Sequence, residues 1–345
     1  MTLKKKMFAA LPLATMALVL AGCGTDGATT DTGSTAAPSA SEKTVEAPVT
    51  QPTAEKQNDQ PASTCEGTVK IKHAQGETEV PCNPKNVAVM DLAAADDMVS
   101  LGAGDSIGIL PKAPGLPAVL KPYEGKAKAG SMVKPDLEAI AGAKPDLIIL
   151  SSRTAKVYND LKDVAPTIDL SDAKGVSTMQ ANDDKIRTIA QIFGQKEQGE
   201  RAISELHARA GEIAAKAQGG KSLFIMTNGG KMSAFGPNSR FAIVFQDLGF
   251  APAADVKQEG RHGEPISFEF VSQANPRYLF VLDRDSAVGH GENAAQALLD
   301  NDLIKNTEAG KNNGIDYLNG TDWYLVGGGI ATMNGMLDQV ASVLK

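Results

Sequence analysis

Three arginines in this sequence stand where their side chains could bind a charged ligand. Arg153 and Arg284 each follow an apolar run that predicts a buried strand, and Arg240 opens a predicted helix after the turn at residues 236–239. Open α/β sheets bind ligands at the carboxyl ends of their strands, so the guanidinium groups should surround a cleft. Because arginine is permanently charged and forks toward oxygen atoms, three of them suit an oxygen-rich anion that carries several charges.

Two further residue types could contact a metal held by such an anion. His262 lies in a polar loop, and Tyr324 follows Trp323, the only tryptophan of the chain, which we expect beside the ligand. A neutral imidazole and a phenolate can both bind ferric iron. The alternatives are a loop hydrogen bond for His262 and a place in the cleft wall for Tyr324.

Other polar motifs favour structural roles. Asp283 and Asp285 flank Arg284 and could bind a metal, but salt bridges that hold Arg284 are the favoured interpretation. The run at 327–329, Gly-Gly-Gly, precedes a predicted helix without a GxxxxGK[ST] motif, which favours a close-packed turn over a phosphate site.

Catalysis finds little support in the sequence. There is no G-x-S-x-G elbow, H-E-x-x-H pair or Cys/His nucleophile set. We therefore predict a binding protein and not an enzyme. The competing enzymatic hypothesis is an extracytoplasmic hydrolase that uses His262, with Glu264 or Asp283, as general base.

One stretch of the chain occurs twice on the same plan. Residues 136–154, DLEAIAGAKPDLIILSSRT, and residues 267–285, SFEFVSQANPRYLFVLDRD, each open a short helix with a glutamate, Glu138 or Glu269. In both, a proline follows seven residues later and an arginine eight residues beyond the proline. Matched units of this kind predict two similar lobes.

The elements between these units indicate how the lobes are joined. Strand-like runs alternate with helical patterns, which is typical of parallel sheets. A proline-free amphipathic stretch then predicts a long connecting helix at 195–219. The predicted fold class is α/β, with two Rossmann-like lobes at 65–194 and 220–345 joined by this single helix.

The N-terminal residues predict export. Three lysines precede an apolar run that ends in Leu-Ala-Gly-Cys, which resembles the bacterial lipobox. We expect a signal peptide at 1–22, lipid on Cys23 and a disordered tether at 23–64, where large apolar residues are rare. Cys65 and Cys82 flank a hairpin-like pattern and are expected to form a disulfide; free thiols or metal ligands are the alternatives.

The overall charge limits the partners. The chain carries 34 Lys plus Arg against 41 Asp plus Glu, a formal net charge of −7. This field repels nucleic acid and anionic lipid, so we expect no nucleic-acid partner. An anionic ligand must therefore be bound by a local cluster of cations.

With these residues in view, the chain resembles the siderophore-binding lipoproteins of bacterial ABC iron importers, in particular those of the ferric-catecholate and petrobactin type. The resemblance covers residues 83–345, and five segments carry it: KPDLEAIAGAKPDLIILSSR, NGGKMSAFGPNSRF, HGEPISFEF, PRYLFVLDRD and DWYLVGGG. It implies two α/β lobes, one long linking helix, limited hinge motion and a shallow cleft.

The resemblance also implies roles for residues and partners. Arginines at the positions of Arg153, Arg240 and Arg284 would surround a ferric catecholate, with His262 and Tyr324 completing the iron shell of a tetradentate siderophore. Glu138 and Glu269 would dock onto an ABC permease, which works with its ATPase. The protein would be a monomer held by its lipid at the outer face of the cell membrane, with no intrinsic cofactor.

Some features leave the ligand open. Arg277 replaces the aspartate that usually follows the proline at position 276, and the cysteine-closed hairpin is not expected in this family. The same architecture can bind haem, a corrinoid or a bare divalent metal. A bare metal would need several converging His and carboxylate groups, whereas the chain has 4 His, widely spaced.

Overall fold

A computed structural model describes residues 65–257, 262–291 and 294–344. The predicted signal peptide, Cys23 and the predicted tether lie outside these residues. Within the described ranges, no helix combines the length and the apolar character needed to cross a membrane.

The first lobe is built on a five-stranded parallel sheet. The strands of this part of the chain are Thr68–His73 (β1), Gly76–Pro81 (β2), Val87–Val89 (β3), Ile107–Lys112 (β4), Ala127–Ser131 (β5), Leu147–Leu150 (β6) and Thr167–Asp169 (β7). The order in the sheet is β5-β4-β3-β6-β7. The central strands β3 and β6 are wholly apolar, as expected for a sheet with helices on both faces.

The second lobe contains a mixed sheet. Its strands are Lys221–Asn228 (β8), Lys231–Phe235 (β9), Ala251–Pro252 (β10), Glu264–Ile266 (β11), Tyr278–Asp283 (β12) and Ile315–Leu318 (β13). The order is β11-β9-β8-β12-β13, with the short β10 beside the start of β8. The pairs β8-β12 and β12-β13 are parallel, whereas β9 is antiparallel to both β8 and β11.

Helices cover both faces of the two sheets. The α-helices are Leu92–Ser100 (α1), Leu137–Gly142 (α2), Tyr158–Leu161 (α3), Thr178–Ile192 (α4), Lys196–Ala217 (α5), Ile243–Gln246 (α6), Phe268–Ala274 (α7), Arg284–Ala287 (α8), Ala294–Leu299 (α9), Asp302–Lys305 (α10), Glu308–Lys311 (α11) and Ile330–Ser342 (α12). The 3₁₀ segments are Gly104–Ser106, Ala118–Lys126 and Ala155–Val157, and Thr321–Val326 forms a π-helical turn.

The hydrophobic core follows the alternation of side chains along the strands. In β12, Phe280 and Leu282 join one cluster of buried residues, whereas Leu279 and Val281 join the cluster on the opposite face. β6 is divided between two clusters in the same way. This burial on both faces explains why the apolar runs of the repeated stretch are continuous and not alternating.

The repeat predicted from the sequence is a helix followed by a strand in both lobes. α2 is capped by Asp136, whose side chain accepts a 3.0 Å hydrogen bond from the Ala139 amide. α7 is capped by Ser267 through the Phe270 amide, at 3.4 Å. Each cap satisfies an amide that the helix itself leaves without a partner, so the two units begin for the same physical reason.

The predicted connecting helix is present as α5. Its buried residues recur at helical spacing and pack into the main core cluster of the second lobe: Ile203, Leu206, Ala210, Ile213 and Ala217. On the other side, His207 bonds Asp183 of α4 at 2.7 Å. Two lobes linked by one long helix therefore match the predicted fold class.

The C-terminal segment is shared between the lobes, which the predicted assignment of 220–345 to one lobe did not include. Leu325 belongs to a core cluster of the first lobe, and Tyr324 packs against clusters of both lobes. The first amides of α12 donate to carboxylates of α1: Ile330 N lies 3.0 Å from Asp97 Oδ1, and Thr332 N lies 2.7 Å from Asp96 Oδ2.

The hairpin β1-β2 is closed by a disulfide between Cys65 and Cys82. It lies against the edge strand β7, where the Ala74 amide donates to the Asp169 carbonyl at 3.0 Å and Thr78 Oγ1 donates to the Thr167 carbonyl at 3.0 Å. Covering a free strand edge in this way blocks unwanted pairing with other chains.

Candidate functional site

The three predicted arginines meet at one residue, Tyr324. Arg153 of the first lobe donates from Nη2 to the Tyr324 carbonyl at 2.8 Å and from Nη1 to the Leu325 carbonyl at 2.5 Å. Arg240 donates from Nη2 to the same Tyr324 carbonyl at 2.8 Å. Arg284 donates from Nε to Tyr324 Oη at 3.0 Å. The site therefore draws side chains from both lobes.

The tyrosine ring forms part of the same cluster. The guanidinium carbon of Arg240 lies 4.8 Å from the centre of the Tyr324 ring, and that of Arg284 lies 5.7 Å from it. Both distances are within the range of cation–π attraction. Tyr324 is half-buried, so one side of this cluster remains open to solvent.

The carbonyls that accept these bonds are free because of the local helix geometry. In the π-helical turn Thr321–Val326, the Gly327 amide bonds back to the Asp322 carbonyl at 2.7 Å, and Gly327 then leaves the helix with φ 72°. The last carbonyls of a helical segment have no partner within it. Arg153 and Arg240 supply the missing donors.

The charges of the cluster are uncompensated. No ion pair within the described ranges includes Arg153, Arg240 or Arg284; carbonyl, amide and hydroxyl oxygens hold them instead. Desolvation, together with the nearby charge of Arg153, lowers the pKa of Arg240 to about 10. Arg240 stays cationic at neutral pH, and an anion entering the cluster would relieve the repulsion between the two cations.

The expected salt bridges of Arg284 are wrong. Asp283 accepts from the amides of Ser286, at 3.1 Å, and Ala295, at 2.9 Å, and Asp285 accepts from the Gly229 amide at 2.6 Å. Both carboxylates are thus directed to backbone donors at the start of helices or in a turn. Arg284 is held by Tyr324 and by Asn228, whose Oδ1 lies 3.0 Å from Arg284 Nη1.

Trp323 was predicted to contact the ligand, but its side chain lies in the core. Its side chain is only 2% exposed, packs on Phe224 and donates from Nε1 to Gln339 Oε1 at 3.0 Å. Neighbouring residues of a helical turn face different directions, so Tyr324 reaches the cluster while Trp323 enters the core. Trp323 remains one residue away from the cluster.

His262 is exposed and lies just before β11. It stands two residues before Glu264, which pairs with Ala234 of β9. Among the described residues, no hydrogen bond joins it to an arginine or to Tyr324. Its predicted role as an iron ligand, with Tyr324, stays a prediction.

The sequence predicted Arg240 in the first turn of a helix. In the structure it lies in a turn that precedes the helix. The Ser239 amide bonds to the Gly236 carbonyl at 3.1 Å and the Ala242 amide to the Ser239 carbonyl at 3.0 Å. The helix α6 that follows begins only at Ile243. Successive turns allow Phe241 to stack on Phe224 at 4.2 Å while Arg240 faces the cluster.

The glycine run is a close-packed turn, as predicted. Gly329 has φ 87°, and a Cβ there would lie 2.7 Å from Asp96 Cβ. Gly328 is similarly close to Asn182, whose Oδ1 accepts from the Gly329 amide at 2.7 Å. Side chains of the protein therefore accept the hydrogen bonds of the amides at the start of this helix.

Sequence reasoning missed the residues that hold the site in place. Asp96, Asp97 and Asn182 fix the start of α12, directly after the turn that carries Tyr324. Asn228 appeared only as part of a turn signal, Asn-Gly-Gly. Nothing in the sequence places these side chains beside their partners, which lie between 56 and 236 positions away.

Glu138 and Glu269 are both exposed in the first turns of α2 and α7. Hydrogen bonding with Ser267 lowers the pKa of Glu269. Within the described ranges neither glutamate takes part in an ion pair, so each lobe presents one accessible carboxylate on its repeated unit.

Comparison with known proteins gives a family for this architecture. The model of the periplasmic binding protein family matches residues 87–320. The chain belongs to this family. That membership confirms the family resemblance drawn from the sequence. The match includes strands β3 to β13, the connecting helix and four of the predicted cleft residues: Arg153, Arg240, His262 and Arg284.

Two relatives of this chain are named for the siderophores that they bind. The petrobactin-binding protein YclQ of Bacillus subtilis is 36% identical over 285 residues, which is 81% of this chain and 88% of YclQ. The ferric-anguibactin-binding protein FatB of Vibrio anguillarum is 29% identical over 282 residues, 80% of this chain and 87% of FatB.

Solved structures agree with this relationship. The crystal structure of YclQ superposes with a TM-score of 0.75 at 35% identity, covering 81% of this chain and 99% of that one. The periplasmic catecholate-siderophore binding protein VctP of Vibrio cholerae also gives a TM-score of 0.75, at 33% identity, covering 80% and 99% of the two chains.

Proposed function

We propose that this protein is an extracytoplasmic receptor that binds a ferric siderophore of the catecholate type between its lobes and delivers it to an ABC permease for iron uptake. The observation that carries the proposal is the cluster of Arg153, Arg240 and Arg284 around Tyr324, held by neutral acceptors. Three uncompensated cations in a protein of net charge −7 favour a multiply charged anion.

The energetics agree with a receptor of useful affinity. A hydrogen bond to a charged group contributes about 1.5 to 3 kcal/mol, so three arginines can supply a large share of the ~8 kcal/mol that micromolar binding needs. Arg153 and Arg240 already donate to backbone carbonyls, but each guanidinium has further N–H donors with which it can bind the ligand. Ferric tris-catecholates carry negative charge on phenolate oxygens, the acceptors to which guanidinium groups bind well.

The relatives support the ligand class. YclQ is named for petrobactin, FatB for ferric anguibactin and VctP for catecholate siderophores. Tyr324 and His262 supply groups that can bind ferric iron when a siderophore leaves coordination sites open. In this proposal the iron arrives as cargo with its siderophore, and the protein contributes no catalytic step.

Delivery would use the two exposed glutamates. Glu138 and Glu269 occupy equivalent positions on the repeated units of the two lobes, so a partner with two basic pockets could bind both at once. The expected partner is the permease, whose ATPase drives transport. A lipid on Cys23, in a lipobox-like sequence, would keep the receptor at the outer face of the membrane.

The test replaces each arginine by glutamine in turn. We expect Arg153→Gln, Arg240→Gln and Arg284→Gln each to weaken binding of a ferric tris-catecholate by about tenfold or more, from the loss of one charge-assisted contact. Isothermal titration calorimetry measures the dissociation constants. Arg277→Gln is the matched control, because Arg277 is exposed and lies over the Tyr278 ring, away from the cluster.

Two results would count against the proposal. One is a wild-type protein that does not bind the tris-catecholate. The other is a set of three cluster variants whose affinities equal that of Arg277→Gln, because the arginines would then have no special part in binding.

A further inference from the structure

The turn between β8 and β9 carries a side chain that the proposed function does not use. Asn228 is the last residue of β8, and its Oδ1 accepts from Arg284 Nη1 at 3.0 Å. Arg284 Nε donates in turn to Tyr324 Oη, also at 3.0 Å. Asn228 is thus the outermost member of a chain of contacts that ends at the centre of the site.

The position of Asn228 is fixed by its turn. Gly229 and Gly230 have φ values of 56° and 74°, the pattern of a tight two-residue hairpin turn, and Asn228 pairs with Lys231 across it. Asp285, next to Arg284, accepts from the Gly229 amide at 2.6 Å. Two independent contacts therefore join the turn to the segment that carries Arg284.

The chemistry of this contact matters because the acceptor is neutral. A guanidinium has five N–H donors. In Arg284 one reaches Tyr324 and one reaches Asn228, so three remain for a ligand. The carboxylates adjacent in sequence, Asp283 and Asp285, are directed to backbone amides instead. Arg284 is held in place while its charge stays available.

We propose that Asn228 is a specificity-determining residue, whose amide oxygen orients Arg284 without neutralising it and thereby makes the cleft select ligands by their negative charge. The inference rests on the proposed function, since it assumes that Arg284 contacts the ligand. An aspartate at this position has the same shape but would pair with Arg284 and cancel one of the three charges of the site.

The test is Asn228→Asp in the full chain, with two ferric complexes as probes. One is a ferric tris-catecholate, with three negative charges, and the other a ferric bis-catecholate, with one. We expect Asn228→Asp to weaken the tris complex by about tenfold or more and the bis complex by about threefold or less, because the lost charge interaction scales with ligand charge. The salt dependence of tris-complex binding should also become weaker.

Two further variants separate charge from structure. Gln273→Glu adds the same charge at an exposed position of α7 whose side chain makes no hydrogen bond within the described ranges. It should leave both dissociation constants within about twofold of the wild type, since an exposed charge outside the cleft is screened by salt. Asn228→Ala removes the acceptor but adds no charge, so the ratio of the two dissociation constants should stay at its wild-type value.

The inference is overturned if Asn228→Asp binds both complexes as the wild type does, or if it loses both by the same factor. It is also overturned if Asn228→Ala changes the ratio as much as Asn228→Asp. These results leave the proposed function standing, because that function fails only when the wild-type protein does not bind the tris-catecholate or does not need its arginines.

Discussion

The arginines of the site differ from ordinary surface arginines in what holds them. An exposed arginine commonly pairs with a carboxylate and contributes little to stability. Here Arg153 and Arg240 share one carbonyl oxygen, and Arg284 binds a hydroxyl and an amide oxygen. This arrangement keeps two like charges close together, and the proposed anionic ligand would relieve their repulsion.

Asp316 offers a prediction about pH at the same scale. It lies in β13, and its Oδ2 is buried with no hydrogen-bond partner in the described part of the chain. Burial raises the pKa of Asp316 to about 6. Because the native state then binds this proton more tightly than the unfolded chain does, the stability from this group is full below pH ~4 and is lost as the pH rises to ~6.

We therefore expect Asp316→Asn to raise the free energy of unfolding at pH 7.5 by about 1 to 2 kcal/mol, and to have no effect near pH 4. Urea unfolding at the two pH values measures this difference. Asp160→Asn, at an exposed position of α3, serves as the control. An equal effect of Asp316→Asn at both pH values would show that burial of the charge is not the cause.

Individual residues were predicted from the sequence when local chemistry decided their position. The three arginines follow strand ends or a turn signal, and the structure brings them together with Tyr324. The position of Trp323 was predicted wrongly, because consecutive residues of a helical turn face different directions. The partners of Arg284 were predicted wrongly, because Asp283 and Asp285 accept hydrogen bonds from backbone amides instead. Neither effect leaves a trace in residue spacing.

At the scale of elements, the turn that presents Tyr324 depends on the helix after it. The amides of Ala331 and Thr332, at the start of α12, donate to Asp96 at 3.0 and 2.7 Å, and Ser100 Oγ donates to the same carboxylate at 2.9 Å. Asp96 is fully buried. This carboxylate ties α12 to α1 of the first lobe.

We expect Asp96→Ala to lower the free energy of unfolding by about 3 kcal/mol or more, because one buried amide, one part-buried amide and the Ser100 hydroxyl lose their charged acceptor. Asp97→Asn is the matched variant. Asp97 keeps one bond, from the Ile330 amide at 3.0 Å, and burial together with the neighbouring charge of Asp96 raises its pKa well above the usual range. An asparagine keeps that acceptor.

Asp97→Asn should therefore change the free energy of unfolding at pH 7 by less than about 1 kcal/mol, or raise it. Denaturant unfolding of both variants measures the difference. If Asp97→Asn proved as costly as Asp96→Ala, the separate roles assigned to the two carboxylates would be wrong.

Most elements could be predicted because their patterns are local. β3 and β6 are apolar over their whole length, β8 and β12 contain continuous apolar runs, and α5 shows buried residues at helical spacing. β5, with the sequence AKAGS, was missed because it has few large apolar residues. It forms a strand because it pairs with β4. The return of the C-terminal segment to the first lobe also depends on tertiary contacts.

At the scale of the molecule, the proposed ligand site and the proposed docking residues are separate. Arg153, Arg240 and Arg284 converge between the lobes, whereas Glu138 and Glu269 are exposed on the repeated units. If the two glutamates serve only docking, changing them should leave ligand binding intact. The lobes are also linked by Arg153, which bonds carbonyls of the turn that carries Tyr324.

We expect the double variant Glu138→Ala with Glu269→Ala to bind the ferric tris-catecholate with a dissociation constant within about twofold of the wild type, while iron uptake by cells falls at least about tenfold. Radioactive iron uptake and calorimetry measure the two effects. The control replaces Glu205 and Glu212, which are exposed on α5, by alanine. Normal uptake by the first double variant would remove the docking role.

The most direct test of the account is a titration of the wild-type protein followed by the emission of Trp323, which is buried one residue from the cluster. A ferric tris-catecholate should quench this emission with saturation and a dissociation constant of about 1 µM or tighter, while an uncharged ferric tris-hydroxamate should not saturate in that range. Equal affinity for both complexes, or saturation by haem alone, would contradict the claim that the arginine cluster captures an anionic ferric siderophore.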